Sequence, residues 1–168
     1  MVEQFVELVR EYLALIDGLP GLSAREFLLQ CAILLPQLYS LSQQLPDIDL
    51  PEDEPLEAQE PAIEPPMANI MNLLGKHDVY SEVFDPVSHE EAIKSTLSDD
   101  LSDIYTDLKR SLLEYDTTEE PNQLRAVWEW KFSMKIHWGH HLVAALRPIH
   151  SLAHDHLGPE FLDEENGL

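Results

Sequence analysis

A chain of 168 residues with 44% apolar side chains has the length of one domain and enough Leu, Ile and Val to bury a core, which excludes a disordered polymer. Its 10 basic and 32 acidic residues leave a net charge of −22, which repels phosphate backbones and anionic lipid and excludes nucleic acid as a direct ligand. Cys31 is the single cysteine, so no intrachain disulfide can form; the first residues carry neither a basic leader nor a long apolar run, and a cytoplasmic protein with no membrane contact is expected.

Val2, Phe5, Val9, Tyr12 and Ile16 recur at spacings of three and four, which predicts an amphipathic helix ended by Gly18. Ser23 and Glu26 form a capping box, and Phe27, Cys31, Leu34, Leu38, Leu41 and Leu45 then mark a second helix, bent by Pro36. Cys31 lies inside that stripe, where a small buried hydrophobe is expected rather than a nucleophile. From Pro46 to Pro66 prolines alternate with Asp and Glu and apolar residues occur singly, the pattern of an extended, solvated loop. No Lys or Arg occurs between Arg25 and Lys76, so this half of the chain offers its charge to a basic partner.

A short helix over Met67 to Leu74, closed by Gly75, leads into a turn-rich connection from His77 through Asp85-Pro86. Ser88 with Glu91 predicts one or two helical turns, and Ser98 the cap of a fourth main helix with Leu101, Ile104, Leu108, Leu112 and Tyr115 on its buried face. A last long helix begins at Pro121 and carries Leu124, Val127, Met134, Trp138, Leu142, Ala145, Ile149 and Leu152, with a kink at Pro148. No segment alternates with period two, so no sheet is expected. The expected fold is all-α, an antiparallel bundle of four to five helices over 1–157, with the acidic Pro-rich loop 46–66 between the second and third helices and an acidic tail, 158–168.

Two constellations stand out. On the fourth helix Asp100, Asp103 and Asp107 fall close to one line. Asp100, like Asp99, is explained by the helix dipole, but Asp103 and Asp107 form an i, i+4 like-charge pair that costs about 0.2–0.5 kcal/mol unless a cation sits between them. Lys109, Arg110, Lys131 or Lys135 would serve, as would a divalent metal. On the last helix His137, His140 and His141 share a flank, and the i, i+4 spacing of His137 and His141 suits one metal ion, although Trp138 stands where the zinc-protease pattern needs a glutamate. Salt bridges and hydrogen-bonded structural histidines are the rival explanation of both rows. Trp138 reads as a core anchor; Trp130, on the histidine flank, is placed to line a pocket; Gly139 permits a close backbone approach. Phosphate-binding glycine loops, G-x-S-x-G and C-x-x-C are missing, as are the paired acidic motifs of the all-α nucleotide pyrophosphohydrolases.

The segments Leu34-Leu35-Pro36-Gln37-Leu38-Tyr39, Asp78-Val79-Tyr80-Ser81-Glu82-Val83-Phe84, the run from Ser98 to Lys109 and the run from Trp138 to Arg147 occur in this order. Together they resemble a family of uncharacterised bacterial proteins, the five-thousand-and-sixty-third domain of unknown function. The resemblance implies a small bacterial cytoplasmic protein and transfers no catalytic residue. The function expected first is a non-enzymatic interaction or regulatory module meeting a basic or amphipathic protein partner. The alternative is a divalent-metal-dependent hydrolase with Asp100, Asp103 and Asp107 facing His137 and His141, which requires those side chains to converge across one helix pair. A second apolar strip, Trp128, Ile136, Val143 and Leu146, leaves a homodimer open.

Overall fold

The computed structural model describes residues 1–50, 62–83, 87–88, 91–117 and 119–156. Most of the Pro-rich loop, at 51–61, and the acidic tail lie outside the described residues, so neither expectation is decided. Helix α1 (Val2–Asp17) packs antiparallel to α2 (Ala24–Ser42) across the short 3-10 turn Leu19–Gly21. The capping box at the start of α2 is present: the Glu26 amide donates to Ser23 Oγ, and the Ser23 amide donates to the Glu26 carboxylate at 3.0 Å. A short α3 (Met67–Leu74) ends at Gly75, whose φ of +54° a side chain rarely adopts. Long helices α4 (Leu97–Tyr115), α5 (Glu120–Ile136) and α6 (Trp138–His150) complete the bundle, and a wide π turn, Ser151–His156, follows.

Three expectations need correction. Strands β1 (Val79–Glu82) and β2 (Ile93–Thr96) pair antiparallel, Tyr80 opposite Ser95, where a turn-rich connection and a helical turn from Ser88 were expected. Each strand is four residues long, and only Val79–Glu82 alternates exposed with half-buried residues, too short a run for a period to register. Helix α4 starts two residues earlier than a cap at Ser98 implies, because β2 runs straight into it and the extended Thr96 supplies the cap, accepting from the Asp99 amide at 3.3 Å. The last helix is two helices. His137 adopts φ −144° and ψ −89° between them, and the chain turns so tightly that a Cβ on Gly139 would lie 2.1 Å from the Met134 carbonyl oxygen. Gly139 is what the break requires.

The core lies where α1, α2, α4, α5 and α6 face one another. Trp130 is fully buried, edge-on to Phe5 at 5.4 Å, and its Nε1–H donates to the Leu108 carbonyl; Trp138 is equally buried and donates to the Trp130 carbonyl at 3.1 Å. The Tyr12 hydroxyl donates to the Leu101 carbonyl at 2.8 Å, tying α1 to α4. Cys31 is buried, and burial pushes its thiol well up, so it is an inert hydrophobe as its place in the stripe suggests. Leu124, expected on the buried stripe, is instead 43% exposed, because Glu120–Ile136 turns Ala126, Val127 and Trp130 inward. Among the described residues no helix is long and apolar enough to cross a membrane.

Candidate metal centre

Packing of α4 against the α5–α6 break brings the carboxylate row to the histidines. Asp100 is almost wholly buried although it lies in the first turn of α4. Its Oδ2 accepts from the Tyr80 hydroxyl at 2.6 Å and its Oδ1 from His141 Nδ1 at 2.9 Å. Two turns further along α4, Asp107 Oδ2 accepts from His137 Nδ1 at 2.8 Å. A carboxylate is acceptor-only, so both imidazoles carry their proton on Nδ1 and, when neutral, keep a lone pair on Nε2. Both Nε2 atoms face Asp103 Oδ2, that of His141 at 3.2 Å and that of His137 at 3.9 Å. The two rings meet edge to face with centroids 4.9 Å apart. One donor atom each from Asp103, His137 and His141 falls within 4.8 Å of the other two.

Burial divides this cluster into a floor and a mouth. The Asp100 side chain is 2% exposed and that of Asp107 11%, whereas Asp103 is 35% and His137 47% exposed. Charge follows burial. Loss of solvent pushes the Asp100 and Asp103 carboxyls above their ordinary range despite the histidines beside them. The His141 imidazole is pushed up, first by its hydrogen bond to Asp100, against the opposing effect of its own burial. Tyr80, half-buried and bonded to Asp100, is pushed up by burial first.

All five residues of the expected Asp–His set are therefore brought together. His140 is exposed and lies outside the cluster. Trp130 lines no pocket, because the break at His137 rotates the histidine flank away from it and its ring fills the core. Of the basic side chains expected to separate Asp103 from Asp107, Arg110 alone reaches the row among the described ion pairs, 3.8 Å from Asp107 Oδ1. Lys109 donates to the Tyr105 hydroxyl, and Lys131 binds the Leu45 carbonyl and Asp47, each at 2.7 Å. Two contributors went unread in the sequence. Tyr80 comes from β1, and the buried Asp78, accepting from the Ser98 amide and hydroxyl at 2.7 and 2.8 Å, fastens that strand to the start of α4. Their partners lie 20 residues away, beyond any local spacing signal. A groove of about 540 Å³ between α1 and α2, lined by Glu11, Leu15, Ile33 and Leu34 among others, shares no residue with the cluster.

Among the described residues, six helices and a short β-ribbon make a small, mostly helical fold in which two carboxylate-paired imidazoles lie beside a third carboxylate. The chain belongs to the family described as a domain of unknown function (DUF5063), whose model matches residues 1–155 and bears out the resemblance drawn from the sequence. The crystal structure of protein BF1032 from Bacteroides fragilis is similar to it, with a TM-score of 0.76 over 90% of each chain at 22% identity, and therefore shares its fold. No curated protein matches the chain.

Proposed function

We propose that the protein binds one divalent transition-metal ion through Asp103, His137 and His141 and acts as a metal-dependent hydrolase. The observation that carries this reading is the pairing of both Nδ1 atoms with carboxylates, Asp100 for His141 and Asp107 for His137, which leaves both Nε2 atoms facing Asp103. Imidazole ligands commonly donate their second nitrogen to a carboxylate, which fixes tautomer and orientation and raises basicity. Structural histidine–aspartate pairs do not need to aim their free nitrogens at a third carboxylate. Ligand atoms each about 2.0–2.2 Å from an ion stand about 3–3.5 Å apart, so separations of 3.2 and 3.9 Å ask for little movement.

Three protein ligands with a solvent-facing mouth leave positions for water, and an ion of this kind lowers the pKa of bound water into the range where hydroxide forms at neutral pH. Imidazole nitrogens favour zinc, iron or copper over magnesium, which prefers an all-oxygen set. Metal-free protein titrated with Zn²⁺ is expected to take up one equivalent, and Asp103→Asn together with His141→Ala to abolish uptake while the fold persists by circular dichroism. Uptake equal in the variant would refute the assignment. An interaction role draws support from one separate feature: Trp128 and Phe132 stack at 4.8 Å on the surface of α5, next to Ile136, 59% exposed, with Val143 54% exposed on α6. Sedimentation that remains monomeric at high concentration would remove the homodimer form of that reading.

A further inference from the structure

Resting on that metal assignment, we infer that the open positions of the ion admit a neutral donor, such as an amide or ester carbonyl, on a substrate that is itself neutral or carries positive charge away from the donor atom, and disfavour free anions such as phosphate. Among the described residues the carboxylates around the mouth outnumber the cations paired with them. Asp99 precedes Asp103 by one helical turn and faces the same way, so Asp99, Asp103 and Asp107 form a continuous row on α4. Glu82, at the end of β1, has its Oε2 3.4 Å from the Tyr80 hydroxyl, itself bonded to Asp100. Among the described residues the row's ion pairs are with His137, His141 and Arg110, and the Arg110 guanidinium already faces Asp107 at 3.8 Å.

One divalent ion and one guanidinium do not balance Glu82, Asp99, Asp100, Asp103 and Asp107, so the loaded centre stays negative while both imidazoles are neutral. The chain as a whole, at −22, adds to the same field. Phosphoryl-transfer sites surround the leaving and attacking oxygens with Arg, Lys or several metal ions, and this mouth offers the opposite. A neutral carbonyl meets no such barrier, and an ammonium group on the substrate is attracted by Glu82 and Asp99. Neither of those two is a ligand, so they set which molecules reach the ion without holding it.

The test uses the full chain loaded with one equivalent of Co²⁺, whose visible bands report added ligands. Imidazole, neutral at about pH 8, and azide, a small anion, are titrated into wild type and into the Glu82→Gln/Asp99→Asn double variant. The variant is expected to bind azide about fivefold more tightly and imidazole unchanged, the effect of removing two charges across a water-filled mouth. Raising ionic strength with sodium perchlorate is expected to narrow the difference. Azide binding equally to both proteins, or more tightly to wild type, overturns the inference, as does a spectrum that neither ligand moves, because no position is then open. Absence of cobalt bands altogether overturns the metal assignment itself and this inference with it.

Discussion

A carboxylate buried to the degree of Asp100 loses several kcal/mol of solvation unless its oxygens are met by donors. Tyr80 and His141 supply one donor to each oxygen, and this makes Asp100 the floor of the cluster. If its task is to orient His141, Asp100→Asn weakens Zn²⁺ binding by about 10–100-fold, measured by competition with a chromogenic chelator. Protonation follows the same contact. The carboxyl of Asp100 is raised by burial and the imidazole of His141 by Asp100, shifts of opposite electrostatic sense for an ion pair; the 2.9 Å contact decides the direction for the imidazole. A base raised on folding stabilises the metal-free protein below its ordinary value of about 6.5 and loses that contribution as pH rises through the raised value. His141 in metal-free protein should therefore titrate above the ordinary imidazole range by NMR, and return towards it in Asp100→Asn. Protons should compete with Zn²⁺ over the same raised window, so acidification releases the ion earlier than a free imidazole would imply.

The element that matters most is the break between α5 and α6. Gly139→Ala places a methyl against the Met134 carbonyl at 2.1 Å, a backbone contact that cannot be relieved by rotating a side chain. A loss of at least about 2 kcal/mol is expected, read as a lowered Tm, accompanied by weaker Zn²⁺ binding because His137 sits on the break. This break was invisible in the sequence for a physical reason. Val127, Trp130, Met134, Trp138, Leu142, Ala145 and Ile149 keep helical spacing straight through it, so the apolar pattern is satisfied by one long helix or by two. The start of α2 was readable, since a capping box is a local signal. The hairpin was not, since its four-residue strands carry almost no period and its stability comes from Asp78 and Tyr80 reaching across to α4. The carboxylate row and the histidine pair were readable as i, i+4 patterns on separate helices. Their meeting depends on the packing of α4 on α6, and the burial that turns Asp100 from a helix-dipole charge into a histidine partner is likewise a tertiary property.

At the scale of the whole molecule, a net charge of −22 on 168 residues destabilises the compact state through self-repulsion. Salt should therefore raise the Tm of the metal-free protein, and Zn²⁺ should raise it further than the same ionic strength of a monovalent salt, by binding the folded state alone. A Zn²⁺ effect no larger than that of the monovalent salt would speak against a specific centre. The bundle supplies the rigidity this centre needs: α4 is held to α1 through Tyr12, to α5 through Trp130 and to the hairpin through Asp78, so the carboxylate row is fixed before any ion arrives. X-ray absorption at the zinc edge of protein carrying one equivalent of Zn²⁺ tests this most directly. Two imidazole nitrogens and a carboxylate oxygen at about 2.0–2.2 Å are expected, with one imidazole lost in His141→Ala. A shell of oxygen scatterers without imidazole, or a shell unchanged in that variant, would contradict a metal centre at Asp103, His137 and His141.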